Sequence, residues 1–272
     1  MAMTRTEAAL FADIGPRGRR RVTIGTVICV VALVAFLAVV IWRLAERGQF
    51  DYVNWWFFFN SSFWVFFAQG LWGTIAASLG AGAIAIFGGL ALMFGRISRV
   101  RPLRWVSTAF IEFMRGTPTL LFIYFMFLVP QQFGLKVSTY WMVVLPTAVY
   151  ASAVLAEVYR AGLNAVPKGQ KDAAEAIGLP YWTGMRMVIL PQMLRIAMPT
   201  MVSQLVVVVK STTFGYVVTY PELMQNAKVA IANYNSLLPI YLATAIIYVV
   251  LNMGISRTAI WLSRRTGARL LK

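Results

Sequence analysis

Five ionisable residues fall inside apolar stretches of this chain: Glu112, Arg115, Glu157, Arg160 and Lys210. At a bilayer centre such a residue costs at least ~2.5–3.5 kcal/mol on insertion scales, so these side chains are expected to face a bundle interior or a cavity. Four of them form two E-x-x-R pairs, Glu112/Arg115 and Glu157/Arg160. That spacing puts both charges of each pair on one helix face, and the chemistry it offers is ion pairing. The chain has no histidine, the commonest general base and metal ligand. Its single cysteine, Cys29, sits in an apolar run, so one chain can build neither a disulfide framework nor a cysteine metal site. No catalytic or metal-ligating set is expected.

Lys210 stands apart from the two pairs. It lies about two-thirds along an apolar segment, with no acidic neighbour in sequence, and is followed by the hydroxyls of Ser211, Thr212 and Thr213. A lysine near the midplane beside hydroxyls suits a solute bearing a carboxylate. Gly215 and the run Arg115-Gly116-Thr117-Pro118 can break their helices and offer backbone donors, as transporter sites do. The expected solute path is therefore Lys210, Ser211, Thr212, Thr213, Arg115 and Thr117. The alternative is that Lys210 snorkels to the outer interface or pairs with Glu222.

The elements that must position these residues are membrane helices. The 272 residues are 60% hydrophobic and only 12% charged, whereas a soluble domain is roughly a quarter charged. Six apolar segments stand out, at about 22–42, 67–95, 105–130, 140–163, 193–219 and 236–262. Each is long enough to cross the hydrocarbon core as a helix. The first ends in IWRLAERG rather than in small residues, so it is read as an uncleaved anchor. The aromatic run at 52–67 reads as an interfacial segment before the second span. The expected organisation is a basic N-terminal segment (1–21), an anchor with its interfacial segment (22–66), a transmembrane domain (67–262) containing a cytoplasmic loop (164–192), and a basic tail (263–272).

The net charge of +16 could signal nucleic-acid binding, but the cations sit between apolar runs and act as topology determinants. With the N-terminus inside, eighteen of the 25 lysines and arginines fall on the cytoplasmic side, Arg96, Arg99, Arg101, Arg104, Lys168, Lys171, Arg257 and Lys272 among them. Only Arg43, Arg47, Lys136 and Lys228 fall outside. That bias places both termini in the cytoplasm. At ~1.5 Å per residue both E-x-x-R pairs then lie roughly 5–15 Å from the inner surface. Cross-pairing of Glu112 with Arg160 and of Glu157 with Arg115 is expected. The cluster is either a clamp between two spans or a cytoplasmic gate. On the second span Gly73, Ala77, Ala81, Ala85 and Gly89 repeat every fourth position, a smooth stripe for a neighbouring helix of the same chain or of another subunit.

The loop KGQKDAAEAIGLPYWTGMRMVILPQ (168–192) faces the cytoplasm in this topology. Ala173, Ala174, Ala176 and Ile177 favour a helix, with Asp172 and Glu175 expected near its start. Gly178 can end it in a left-handed cap. A second short helix is expected from about Tyr181 to Leu190, before Pro191. Two short helices outside the membrane make a knob suited to a groove on another protein.

Here the chain resembles a family. Asp172-Ala173-Ala174, three residues, Gly178, nine residues, then Val188-Ile189-Leu190-Pro191 is similar to the pattern EAA-x3-G-x9-I-x-L-P of permease subunits of ATP-binding-cassette (ABC) importers. Asp172 and Val188 are mild departures. FIEFMRGTPTLLFIYF (110–125), AVLAEVYRAGLNAVPKGQ (153–170), VILPQMLR (188–195) and VKSTTFG (209–215) look like the polar amino-acid importer permeases, in which Ser211 is commonly acidic. KSTTFGYVVTYPELM (210–224) is similar to actinobacterial glutamate importer permeases.

The resemblance implies an all-α type I importer fold of about six transmembrane helices in a bacterial plasma membrane. The first helix goes beyond the family's five-helix core. It implies a chain that hydrolyses nothing and holds no cofactor, ATP and magnesium being bound by a cytoplasmic ATPase dimer. Gly169, Gln170, Asp172, Ala173, Ala174, Glu175, Ala176, Gly178, Leu190 and Pro191 would then form the loop coupling the permease to that ATPase. The other implied partners are a second permease subunit, similar or identical, an extracellular solute-binding protein and the surrounding lipid. The implied cargo is glutamate or another acidic or polar amino acid; no nucleic acid is involved. The rival readings are a self-sufficient secondary transporter or channel for a small anionic solute, and a structural scaffold.

Overall fold

The protein is described here by a computed structural model covering residues 15–265. The first fourteen residues and the last seven, which include Arg5, Arg269 and Lys272 of the expected basic segment and tail, lie outside the described residues. The chain divides into two compact units, one up to Trp56 and one from Phe57 onward.

The first unit is one long helix, α1 (Pro16–Glu46), with proline in its first turn and Arg43 in its last. None of its residues is buried, as befits a helix whose apolar surface is meant for lipid. At its end Gly48 turns the chain at φ 64°. Asn54 Nδ2 donates to the Gly48 carbonyl at 2.8 Å and Trp55 Nε1 to the Gln49 carbonyl at 2.9 Å, closing that turn.

The second unit opens at Phe57, inside a 3₁₀ turn (Trp56–Phe59), and continues with α2 (Ser61–Ile97). Only part of the expected interfacial run therefore stays outside the long helix. Asn60 caps α2 by accepting from the Ser62 N–H at 2.9 Å, so the helix starts six residues before the expected boundary. There follow α3 (Arg101–Gly116), α4 (Thr119–Gln132) and α5 (Thr139–Ala165). The loop helices are α6 (Lys168–Ala176) and α7 (Tyr181–Gly184), and a π turn at Met185–Ile189 leads into α8 (Leu190–Thr212). A 3₁₀ turn, Thr213–Val218, precedes α9 (Leu223–Tyr234) and α10 (Leu237–Arg265).

Among the described residues five helical stretches are long and apolar enough to cross a membrane, and a sixth crossing arises if α3 and α4 count as one broken span. The expected single span at 105–130 is in fact these two helices, bent by 99°. Pro118 has no N–H and drives Thr117 out of the helical region, to φ −107°, ψ 133°.

The glycine–alanine stripe sets the core. Gly73, Ala77, Ala81, Ala85 and Gly89 are all buried within the chain. A side chain added at Gly80 would meet Tyr140 and Val144, one at Gly88 would meet Ser152, and one at Gly89 would meet Leu155 and Tyr159. The two series rise together, so α2 and α5 run parallel and in close contact. At the other end of the stripe an added group on Gly73 would strike the Pro221 carbonyl, and the Tyr220 hydroxyl donates to the Gly73 carbonyl at 2.9 Å. That face serves intramolecular packing. A second, smaller core of Phe57, Phe63, Phe67, Leu223, Ala227 and Ile240 ties the start of α2 to α9 and α10.

Candidate functional site

Three polar assemblies sit on this frame: a knob at one end, an ion-pair hub beneath it, and a lysine pocket near the opposite end of α2.

The knob is α6, α7 and the π turn. Pro167 precedes α6 and sets its start at Lys168, so Asp172 and Glu175 fall in its middle and last turn. The expected acidic first turn is thereby corrected. The helix ends as expected at Gly178, φ 75°. The Gly178 N–H donates to the Glu175 carbonyl at 3.0 Å and the Leu179 N–H to the Ala174 carbonyl at 3.1 Å, the paired bonds of a Schellman ending. The second expected helix does not stop before Pro191. The π turn passes into α8 with the Leu190 N–H on the Met185 carbonyl, and Pro191 falls in the first turn of α8, where no N–H is needed. Gln192 Nε2 donates to Gln170 Oε1 at 2.9 Å, tying the start of α8 back to α6.

Ile177, Tyr181, Trp182 and Met187 are exposed, an apolar surface on an otherwise polar knob. Beneath it lies a cavity of about 370 Å³ lined by Ile97, Leu163, Ala174, Leu179 and Met185. The knob also grips the end of α2. Phe94 and Trp182 rings lie 6.0 Å apart, and the Arg99 guanidinium sits 5.8 Å over the Tyr181 ring.

Between Phe94 and Arg99 in sequence, in the last turn of α2, is Arg96, the centre of the hub. It donates to Glu157 of α5 at 2.5 Å and to Glu112 of α3 at 3.1 Å. Glu157 also receives Arg160 at 2.8 Å. The expected cross-pairs are therefore corrected: one arginine from a third helix bridges the two glutamates. By sequence Arg96 groups with the loop cations, because it lies at the end of an apolar run. Its side chain is 19% exposed and that of Glu157 16%, against 56% for Glu112, so the Arg96–Glu157 arm is the protected one. Arg115 lines an open cavity of about 380 Å³ with Glu157, Val158, Ile196 and Thr200.

Lys210 lines a different cavity, of about 400 Å³, with Thr213, Met224, Tyr241, Thr244 and Tyr248. It is exposed, and among the described residues it has no ion-pair partner. Ser211 and Thr212 are buried, and their hydroxyls donate to the carbonyls of Val207 and Val209 at 3.0 and 2.7 Å. Of the three hydroxyls, only that of Thr213 reaches the pocket. Thr117 donates to the Phe113 carbonyl at 2.9 Å at the α3–α4 break. The expected path residues thus occupy two separate places in this chain, Arg115 in one and Lys210 in the other.

Glu222 is the partner that Lys210 is expected to have if it does not snorkel. In the structure it is fully buried at the start of α9. Its carboxylate accepts from the N–H groups of Met224 and Gln225 at 2.8 and 2.7 Å and from the Tyr248 hydroxyl at 2.8 Å. Burial pushes this carboxyl up to about 7 against the opposing pull of its three donors. The Leu223 N–H meanwhile donates to Thr74 on α2 at 3.1 Å. Glutamate is an uncommon N-cap, so nothing local in the sequence signals this role.

Residues 85–267 match the family described as binding-protein-dependent transport system inner membrane component. The chain is 30% identical over 200 residues to the probable amino-acid ABC transporter permease protein YckA of Bacillus subtilis, covering 72% of this chain and 88% of that protein. It is 33% identical over 230 residues to the glutamate transport system permease protein GluD of Corynebacterium glutamicum, covering 83% and 84%. A solved structure described as an amino acid ABC transporter with histidines superposes with a TM-score of 0.71 at 28% identity, over 75% of this chain and 95% of that one.

Proposed function

This chain belongs to the binding-protein-dependent transport system inner membrane components, and on that premise we propose that it carries glutamate through the membrane. It is a non-catalytic, multi-pass permease subunit of an amino-acid ABC importer. In the reading advanced here the knob faces the cytoplasm, as the cation bias favours, and presents its exposed Ile177, Trp182 and Met187 to an ATPase dimer. A binding protein delivers solute to the opposite face, and a second permease, similar or identical, completes the path. The ion-pair hub is the inner gate, opened when the knob is displaced. Only differential stabilisation of two states is needed to drive it.

The observation that carries the cargo is Lys210, an exposed cation lining a pocket with Thr213, Tyr241 and Tyr248 and with no carboxylate in that lining among the described residues. The likeness to GluD over most of both chains supports an acidic solute. The self-sufficient transporter has no comparable support once the family is known. The test is uptake by the reconstituted complex of permeases, ATPase and binding protein. Wild type should import labelled glutamate in preference to labelled arginine, and Lys210→Ala should lower glutamate uptake at least tenfold while leaving assembly with the ATPase intact. Normal glutamate import by Lys210→Ala removes the pocket role. A wild-type complex that takes up no acidic amino acid removes the cargo.

A further inference from the structure

Helix α3 has three faces rather than two. One packs into the protein: Ser107 and Ile111 are buried. A second is apolar and exposed, with Val106 at 68% and Phe113 at 61%, and Trp105, 73% exposed, at its edge toward the polar side. The third carries Arg101, Arg104, Thr108, Glu112 and Arg115 at three- and four-residue spacing, which keeps them on one side of a helix. Glu112 is held by Arg96 of α2, so what this polar face offers outward is positive charge.

The direction of α3 is equally distinctive. In an antiparallel hairpin through the short turn at 98–100, each later turn of α3 would meet an earlier turn of α2. Instead a side chain added at Gly95 would touch both Leu103 and Ser107, and its neighbour Arg96 reaches Glu112. Successive turns of α3 therefore lie against the last turn of α2, so α3 crosses the end of that helix. At Thr117–Pro118 the chain then swings by 99° into α4.

We propose that α3 lies in the plane of the inner membrane interface and that Arg101 and Arg104 bind the headgroup phosphates of anionic phospholipids there. The leaflet rests on the orientation given under Proposed function. The apolar face sinks into the acyl region, Trp105 sits at headgroup depth, and the two arginines extend along the surface to the phosphates. Charge complementarity selects this occupant. Both arginines are exposed and neither has an ion-pair partner among the described residues, and a juxtamembrane basic group is attracted by the negative inner leaflet.

Nitroxide labels at Val106→Cys and Phe113→Cys, in a Cys29→Ser background, read the geometry in the complete complex reconstituted into phosphatidylglycerol–phosphatidylcholine vesicles. An in-plane helix places both labels at one depth, in contact with lipid-borne oxygen. A transverse helix separates them by about 10 Å, at ~1.5 Å per residue. Unequal depth, or labels shielded from lipid by another subunit, overturns the proposal. Lipid retained through purification and measured by mass spectrometry reads the phosphate claim. Wild type should enrich phosphatidylglycerol over phosphatidylcholine roughly 25-fold, from about fivefold per arginine. Arg101→Gln/Arg104→Gln should abolish the enrichment and Arg101→Lys/Arg104→Lys should keep most of it. Unchanged enrichment in the glutamine pair overturns the lipid contact. A water-soluble relaxation agent that reaches the labels only from the binding-protein side overturns the inner-leaflet assignment, a failure of the orientation and separate from the other two.

Discussion

The two ends of α2 solve the same problem, a glutamate packed among apolar helices, in opposite ways. Near the knob Glu157 is held by two arginines, Arg96 and Arg160, and shares the first with Glu112. At the far end Glu222 has no ion-pair partner among the described residues and is held by two backbone N–H groups and one tyrosine hydroxyl. The first arrangement joins side chains of three helices that end at or near the knob, and an ion pair can part and re-form. The second uses donors fixed by the backbone of its own helix, plus Tyr248 of α10, and has nowhere to go. If the hub is the gate proposed above, the knob end is where the protein would switch and the far end where it would hold still.

The largest expected effect breaks the first arrangement. Arg96→Ala leaves Glu157 largely buried with only Arg160 and releases Glu112. Losing one partner of a well-buried pair costs about 3–5 kcal/mol, and the partial exposure of this one brings the expected loss to ~2–3 kcal/mol. Transport by the complex should fall at least tenfold, with a lower melting temperature of the purified complex. The exchange Arg96→Glu/Glu157→Arg should recover part of both. The exchange Glu112→Arg/Arg160→Glu should recover nothing relative to its single reversals, because those side chains do not pair here. Rescue by the second exchange and not by the first would take the hub away from Arg96.

The next effect probes the far end. A carboxyl raised to about 7 in the folded protein binds its proton more tightly than the ordinary group near 4.5. Its contribution to stability is therefore complete below pH 4.5, and is lost as pH rises through 7. The span is on the order of 3 kcal/mol. Glu222→Gln mimics the protonated form and should flatten the melting temperature between pH 5 and 8.5. Its amide faces one of the helix N–H donors, so a cost of about 1 kcal/mol is expected at low pH. A wild-type protein whose melting is already flat across that range would show that the three donors outweigh burial, and the contrast with Glu157 would shrink.

How much of this was legible beforehand follows from range of interaction. The knob was readable because a helix, its left-handed glycine stop and the following proline are local choices, written in Ala173, Ala174, Gly178 and Pro180. The glycine–alanine stripe was readable because its period is that of one helix. Arg96 as a hub was not, since its partners lie 16 and 61 residues away and no local pattern separates a bridging arginine from a topology-setting one. The depth argument sets Glu112 and Glu157 at one level, and one arginine does reach both, yet it assumes that α3 and α4 form a straight span. The bend at Pro118 removed that assumption and the cross-pairs with it. Glu222 looked like a counter-ion because sequence shows charges and hides backbone donors.

The smallest effect tests whether the knob's shape matters separately from the hub beneath it. Gly169 and Gly178 lie nine residues apart in the same loop, and a methyl group added at either meets nothing within 4 Å. Space therefore does not distinguish them; backbone conformation does. Gly169 sits in the first turn of α6 with ordinary helical backbone, where alanine is preferred by up to ~1 kcal/mol. Gly178 holds φ at 75°, where alanine costs about 1 kcal/mol and loosens the paired bonds to Glu175 and Ala174. Gly169→Ala should leave or slightly raise coupled ATP hydrolysis, and Gly178→Ala should lower it several-fold with the melting temperature of the hub-bearing core nearly unchanged. Equal behaviour of the two alanines would mean that the ATPase reads only the knob's exposed side chains, and the switching end would then begin at Arg96 rather than at the knob.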